Sequence, residues 1–120
     1  MDGKIDWNYA HNAVGGDVEL LLEVIDIFFE EYPKLIAGIE AAIESEALVE
    51  LRRSGHTLKG SLRYFGETQA GQLAYELEVM GRDGQVEQAQ EVFTQLRTEL
   101  VAVVAELKAF VASQPPETQA

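Results

Sequence analysis

Cysteine is absent from this sequence of 120 residues. Its absence excludes disulfides, thiolate metal sites and cysteine nucleophiles, and it fits a reducing compartment. Long hydrophobic runs are lacking as well. The run at residues 100–105 is stopped by Glu106, far short of the roughly 20 apolar residues that a membrane-spanning helix needs. We therefore expect a cytoplasmic protein without membrane contact.

Positive charge is also scarce, since nine Lys and Arg residues stand against 21 Asp and Glu residues, for a formal net charge of −12. Nucleic acids and anionic membrane surfaces bind proteins through basic surfaces, so neither is an expected partner. The few cations are unevenly placed, because four of the nine fall within residues 52–63, whereas no acid lies within residues 51–66. One short segment is therefore a basic island on an acidic protein.

Proline is rare, and two of the three prolines, Pro115 and Pro116, stand in a polar C-terminal segment. We expect residues 113–120 to form a flexible tail and residues 1–112 to form one domain, because a chain of this length with 47% hydrophobic residues can bury one core. No alternating strand pattern is visible, and apolar residues recur three and four positions apart. This spacing predicts an all-helical protein.

The pattern predicts five helices, of which the first is short and covers residues 7–14. Gly15 and Gly16 break it, and Asp17 is the expected N-cap of the next helix, whose apolar pattern continues across Pro33. Proline removes one backbone donor and crowds the carbonyl four residues earlier. Either a kinked long helix or two abutting helices would satisfy this constraint, and we favour the kink.

Three further helices complete the predicted fold. Ser45 is the expected start of the third helix, which ends at Gly66; the fourth closes in a turn at residues 81–84, and the last covers residues 86–112. Short connections make successive long helices antiparallel. We therefore expect an antiparallel up-down-up-down four-helix bundle with a short extra N-terminal helix.

The third predicted helix carries His56 beside its apolar face. If that face packs on the core, residues three and four apart form a polar stripe next to it. The stripe comprises Arg52, His56, Lys59 and Arg63. Gly60, one turn after His56, costs a helix interior about 1 kcal/mol relative to alanine. We interpret Gly60 as clearance that lets the acidic active site of a partner approach the His56 ring.

This stripe suits phosphoryl transfer, in which positioning and charge neutralisation do most of the work. A neutral imidazole nitrogen is an adequate nucleophile near pH 7, since the reference pKa of imidazole is about 6.5. Lys59 can pair with phosphoryl oxygens, and Arg52 or Arg63 can add longer-range attraction. The group that orients the histidine ring must come from another helix. Glu78 is the candidate, although it could equally pair with Arg82, four residues on.

The segment His56-Thr57-Leu58-Lys59-Gly60-Ser61, followed by Gly66 and by Leu77-Glu78, closely resembles the signature of histidine-containing phosphotransfer (HPt) domains. The likeness extends from Ile5 to Phe110. The resemblance implies a helical bundle in which His56 accepts a phosphoryl group through Nε2. It also implies that Lys59 assists, that Gly60 gives access and that Glu78 bonds the histidine ring.

The resemblance further implies a phosphorelay intermediate without kinase activity, similar to the C-terminal HPt domains of bacterial hybrid sensor kinases. Its partner would be a response-regulator receiver domain, either separate or part of a hybrid kinase, and Mg²⁺ would belong to that partner. The domain itself would need no cofactor and would be a monomer. The expected docking surface comprises Gly60, Arg52, Arg63 and Ser61. Small residues are common in the family just after the Lys-Gly pair, where this sequence has Ser61, Leu62 and Arg63. Glu67 stands where alanine is frequent.

Two other functions fit parts of the sequence. A di-metal enzyme in a helical bundle would need Glu-x-x-His pairs, but Arg53 precedes His56 by three residues and Asn8 precedes His11 by three. A passive acidic helical adaptor would share the fold, the charge and the size, and would differ only in needing no reactive histidine. His11 lacks a following Lys-Gly pair and is therefore interpreted as inert.

Overall fold

The computed structural model describes residues 3–115, which form helices and no strand. The helices are α1 at Trp7–Ala13, α2 at Val18–Ser45, α3 at Leu48–Leu62, α4 at Gln69–Asp83 and α5 at Ala89–Ala112, and a 3₁₀ turn at Arg63–Phe65 follows α3. The all-helical prediction is confirmed. Within this described range no helix is long and apolar enough to cross a membrane. Residues 116–120 of the predicted tail and residues 1–2 of the predicted domain lie outside the described range.

Side-chain caps explain where three of the helices begin. Asp6, Asp17 and Thr68 each accept a hydrogen bond from the backbone N–H three residues later, at 3.0, 3.1 and 2.9 Å. Each cap stabilises a helix start by about 1 kcal/mol, because it satisfies an N–H group that has no partner inside the helix. The prediction that Asp17 is an N-cap is confirmed.

The predicted helix start at Ser45 is wrong. Ser45 is the last residue of α2, and its hydroxyl donates to the carbonyl of Ala41 at 2.8 Å. Glu46 then turns the chain in the left-handed region, with φ 52°, and Ala47 precedes α3 without a side-chain cap. A serine hydroxyl can accept a hydrogen bond from a following N–H or donate one to a carbonyl four residues earlier, and the Ser45 hydroxyl does the second.

The long helix α2 continues through Pro33, so the alternative of two abutting helices is wrong. Proline has no N–H to offer the carbonyl of Phe29. Phe28 and Ile39, on either side of the proline, are both buried in the core. Their packing holds the two halves of the helix in place and offsets the missing hydrogen bond.

Other boundaries differ from the sequence prediction by a turn or less. The α-helix that carries His56 ends at Leu62, and the chain tightens into the 3₁₀ turn before Gly66, whose φ of 95° suits glycine. The fourth helix does not close at Gly81, which lies inside α4; Gly84 ends it instead. The last helix begins at Ala89 rather than residue 86.

The hydrophobic core lies between the four longer helices, and its largest fully buried side chains come from all of them. They are Leu21, Ile25 and Ile39 of α2, Leu51, Leu58 and Leu62 of α3, Leu77 of α4, Phe93, Leu96, Val103 and Leu107 of α5, and Phe65. Burying one such side chain stabilises the fold by about 1.5–3 kcal/mol. Leu48, the first residue of α3, is 38% exposed and lies at the edge of this core.

The N-terminal segment is fastened to α5 by two carboxylates, and Nζ of Lys4 lies 3.0 Å from Oε1 of Glu99. Glu106 accepts hydrogen bonds from the backbone N–H of Lys4 at 2.7 Å and from Nε1 of Trp7 at 2.9 Å. The Trp7 ring also stacks on Phe110, with ring centroids 4.4 Å apart. These contacts pack α1 against the C-terminal part of α5.

Two glycines allow α3 and α4 to approach closely. A Cβ added at Gly55 would lie 2.9 Å from the backbone nitrogen of Glu78, and one added at Gly81 would lie 2.6 Å from that of Arg52. Real Cβ atoms do not come this close to a backbone, so both positions require glycine. The close approach brings the backbone of Glu78 directly against the helix that carries His56.

Candidate functional site

The His56 side chain lies on the outer face of α3 and is 67% exposed. The inner face of the same helix is occupied by Leu51, Leu58 and Leu62, which are buried. Because two residues advance a helix by more than half a turn, burial of Leu58 directs His56 outward. The ring is therefore accessible to a partner protein, while its attachment is fixed by a packed helix.

One ring nitrogen of His56 is held by Glu78 of α4. Nδ1 lies 3.2 Å from Oε2 of Glu78, across 22 positions of sequence. An ionised carboxylate can only accept hydrogen bonds, so Nδ1 must carry the proton and donate it. In the neutral ring Nε2 then keeps its lone pair, and the exposed ring offers that nitrogen as a nucleophile.

Glu78 is ionised at neutral pH, and its two partners favour the ionised form. Burial of its side chain, which is 16% exposed, would by itself raise the pKa of the carboxyl. Hydrogen bonds from Lys59 and His56, together with their charges, outweigh burial and hold the Glu78 pKa below its ordinary value of 4.5. The carboxylate therefore remains an acceptor under the conditions in which Nδ1 has to donate.

Lys59 completes this group from the next turn of α3. Its Nζ lies 2.8 Å from Oε1 of Glu78, and its side chain is 22% exposed. One carboxylate thus binds both other side chains, His56 through Oε2 and Lys59 through Oε1. The ammonium is held within the same group as the acceptor ring and can shift toward an anion that arrives there.

Gly60 leaves open space next to the histidine. A Cβ built at this position would meet nothing within 4 Å, in contrast to the crowded Gly55 and Gly81. The protein's own packing therefore does not require glycine here, although glycine weakens the helix. The space at Gly60 is available to a molecule outside this chain.

The remaining predicted docking residues are not brought together around His56. Arg52 lines a shallow groove with His56 and Glu78. Arg63 lines two other grooves, one toward α4 and one toward the N-terminal segment. Ser61 faces α2, in a groove that it shares with Ile27. The groove that contains His56 therefore includes Arg52 and excludes Arg63 and Ser61.

The observed ion pairs identify the partners of Arg82 and Arg53. Arg82 pairs with Asp83, its Nε lying 3.0 Å from Oδ1, so the alternative pair of Glu78 with Arg82 is wrong. Arg53 pairs with Glu50 on the solvent side of α3. Across residues 3–115 no three His, Cys, Asp or Glu side chains are grouped as a metal site would require.

Two further aromatic side chains lie outside the polar stripe that the sequence predicts on α3. Tyr75 of α4 places its ring 5.0 Å from Nζ of Lys59, measured to the ring centroid. The available signal was its spacing, since Tyr75 lies three residues before Glu78 and so on the same helix face. His11 is half-buried, and its ring contacts Phe110.

Comparison with known proteins gives the family and the fold of this chain. The sequence pattern of the Hpt domain matches residues 23–106. The fold matches the crystal structure of histidine-containing phosphotransfer protein B (HptB) from Pseudomonas aeruginosa PAO1, with a TM-score of 0.83 over 91% of this chain and 95% of that chain, at 19% sequence identity. No curated protein matches the sequence.

Proposed function

Because the chain belongs to the Hpt domain family, whose members serve phosphotransfer in two-component signalling, we propose that it accepts a phosphoryl group on Nε2 of His56 and exchanges it with the aspartate of a response-regulator receiver domain. The observation that carries this proposal is that Glu78 binds two side chains at once. One of its oxygens binds Nδ1 of His56, and the other binds Lys59. The family match favours this proposal over a di-metal enzyme.

In the proposed transfer, the lone pair of Nε2 attacks the phosphorus of the receiver's aspartyl phosphate. The bond from nitrogen to phosphorus forms as the bond from phosphorus to the aspartate oxygen breaks, and the carboxylate leaves. The imidazole becomes positively charged, and Glu78 stabilises that charge through Nδ1. Lys59 neutralises charge on the phosphoryl oxygens. The reverse steps return the group to an aspartate.

The partner protein, rather than this chain, would supply the metal ion that the transfer requires. We propose that Mg²⁺ is held by the receiver, that the domain binds no cofactor and that it has no kinase activity of its own. Gly60 and Arg52 form the centre of the docking surface, and Arg63 and Ser61 lie at its edges. The strong negative charge elsewhere on the chain favours docking through this basic segment, because the metal site of a receiver is itself acidic.

We also propose that the four longer helices run up-down-up-down and antiparallel. Arg52 near the start of α3 lies against Gly81 near the end of α4, and Gly55, further along α3, lies against Glu78, which is earlier in α4. This order of contacts supports antiparallel packing. Residues 1–112 would form the folded domain and residues 113–120 a tail, in a monomeric cytoplasmic protein.

The proposed function is tested by incubating the protein with a phosphorylated receiver domain and Mg²⁺. The expected result is a phosphate on the protein that is labile in acid and stable in alkali, as a phosphoramidate bond is. A protein that binds several receivers and takes up no phosphate from any of them would instead be an adaptor.

For Gly60→Glu we expect transfer from the receiver to fall by at least about tenfold, because the new side chain fills the open space and places negative charge against an acidic partner. The helix should remain folded, since the position is open and glutamate is a good helix former. Gly60→Ala is the matched control and should transfer at nearly the wild-type rate. Unchanged transfer in Gly60→Glu, with unchanged helicity by circular dichroism, would contradict the clearance role.

For Lys59→Ala we expect transfer to slow by about tenfold or more, because a charge-assisted hydrogen bond contributes about 1.5–3 kcal/mol. Binding of the receiver should change little. Single-turnover rates and receiver affinity are measured separately, and Lys34→Ala serves as the control because Lys34 pairs with Glu31 on the surface of α2. A single-turnover rate equal to that of the wild type would remove Lys59 from its proposed role.

A further inference from the structure

The exposed aromatic ring of Tyr75 has no place in the hydrophobic core. Tyr75 is 40% exposed, although it lies on α4 between the buried residues Ala74 and Leu77. The contact that the structure gives its ring is with the side chain of Lys59, whose Nζ lies 5.0 Å from the ring centroid. The Tyr75 hydroxyl interacts with the side chain of Arg82 as well. The contact of the ring face with the Lys59 ammonium calls for an explanation at the site, since the core does not use the ring.

The Lys59 ammonium lies between two groups from the same helix. Oε1 of Glu78 is 2.8 Å from Nζ, and the face of the Tyr75 ring lies within the distance at which a cation is attracted to the negative face of an aromatic ring. Lysine is otherwise a flexible side chain with four rotatable carbons and a large loss of entropy on being fixed. Two contacts therefore define where the ammonium rests.

The contact of Lys59 with Glu78 and its contact with the Tyr75 ring respond differently when a phosphoryl group binds to His56. To neutralise phosphoryl oxygens, the ammonium has to shift toward the new anion, and its bond with Oε1 of Glu78 weakens as it shifts, although its three N–H donors let it contact both groups. The attraction to the Tyr75 ring is broad in direction, so it can persist while the ammonium shifts by a small distance. The ring thus helps to keep Lys59 beside the acceptor when the carboxylate holds it less tightly.

We propose that Tyr75 is a positioning residue for phosphotransfer, which holds the Lys59 ammonium within reach of the phosphoryl group on His56. This inference rests on the proposed function and assigns it a further residue. Tyr75 touches neither the histidine nor the phosphoryl group in this proposal, and it acts through Lys59. The face of the ring is what matters, so the hydroxyl should be dispensable.

The test uses phosphoramidate, a small phosphoryl donor, so that no receiver surface is involved. The reagent's bond from nitrogen to phosphorus breaks as Nε2 of His56 bonds to phosphorus, and the nitrogen leaves as ammonia with protons that the reagent already carries. The rate of formation of phosphohistidine is followed by ³¹P NMR on the full chain. Thermal unfolding of each variant is recorded in parallel.

For Tyr75→Leu we expect phosphorylation to be about two- to fivefold slower than in the wild type, which corresponds to the contribution of an exposed cation–π contact. Tyr75→Phe keeps the ring face and should restore the wild-type rate. In a Lys59→Ala background, Tyr75→Leu should have no further effect, because the residue through which it acts is gone. Tyr9→Leu on α1, where Tyr9 is 49% exposed, is the matched control and should change nothing.

The outcomes separate the two proposals. Equal rates for the wild type and Tyr75→Leu, or a loss that persists in the Lys59→Ala background, would overturn the role of Tyr75 and leave the proposed function standing. A slow Tyr75→Phe variant would show that the hydroxyl acts, which also contradicts the inference. Absence of phosphohistidine in the wild type, with both the reagent and a phosphorylated receiver, would overturn the proposed function and this inference with it.

Discussion

Replacing His56 with glutamine is expected to abolish phosphate uptake from a phosphorylated receiver. Glutamine is similar in size and polar, but its amide has no nucleophilic lone pair on nitrogen, so no bond to phosphorus can form. The histidine side chain is 67% exposed and contributes little to packing. We therefore expect the free energy of unfolding to change by less than about 1 kcal/mol, which makes the loss a chemical one.

The matched control for this variant is His11→Gln, which removes the other histidine of the chain. His11 packs against the ring of Phe110 and has no lysine or carboxylate of the site beside it. The His11 variant should take up phosphate as the wild type does, as shown by acid-labile label and by mass spectrometry. Label that survives in His56→Gln, or that is lost in His11→Gln, would move the acceptor away from His56.

The second large effect is expected for Gly81→Ala, which should lower the free energy of unfolding by about 1–3 kcal/mol. Alanine would by itself favour the helix by about 1 kcal/mol over glycine. At Gly81, however, the new methyl group would lie 2.6 Å from the backbone nitrogen of Arg52 and 2.8 Å from the backbone oxygen of Leu48. These are backbone atoms that cannot swing away, so α3 and α4 must separate.

The comparison that isolates this effect is Gly60→Ala, because a Cβ at Gly60 meets nothing within 4 Å. Urea unfolding should show this variant to be more stable than the wild type by up to about 1 kcal/mol, so the two glycine-to-alanine changes have opposite signs. Separation of the helices should also weaken the contact of His56 with Glu78, and Gly81→Ala should slow phosphotransfer. Stabilisation of both variants would show that the two helices are not held together by glycine contacts.

The helices and the motif around His56 are predicted from residues that are close together in the sequence. Apolar residues three and four positions apart indicate helices whatever the rest of the chain does, and Asp17 caps α2 through a hydrogen bond that spans three residues. The motif from His56 to Gly60 is equally local, since one helical turn places Lys59 and Gly60 on the same side as the histidine. Features of this kind depend only on near neighbours, which is why the sequence predicts them.

Errors arose where a residue had two local choices of similar energy. Ser45 could cap a following helix or bond back to Ala41, and it does the second. Gly81 could have ended α4, as glycines often do, yet it lies inside the helix because α3 packs against it. Both bonds open to Ser45 are local, and the flanking residues do not rank them. For Gly81 the deciding contact comes from α3, elsewhere in the chain.

The sequence by itself therefore determined that this protein is helical, that it belongs with the Hpt domains and which histidine is the candidate acceptor. Only the tertiary structure decided that Glu78 binds His56 and Lys59 together rather than Arg82, and that the ring of Tyr75 faces the same ammonium. The physical reason is distance along the chain. His56 and Glu78 are 22 positions apart, and they meet because two helices come close enough for glycine alone to fit between them.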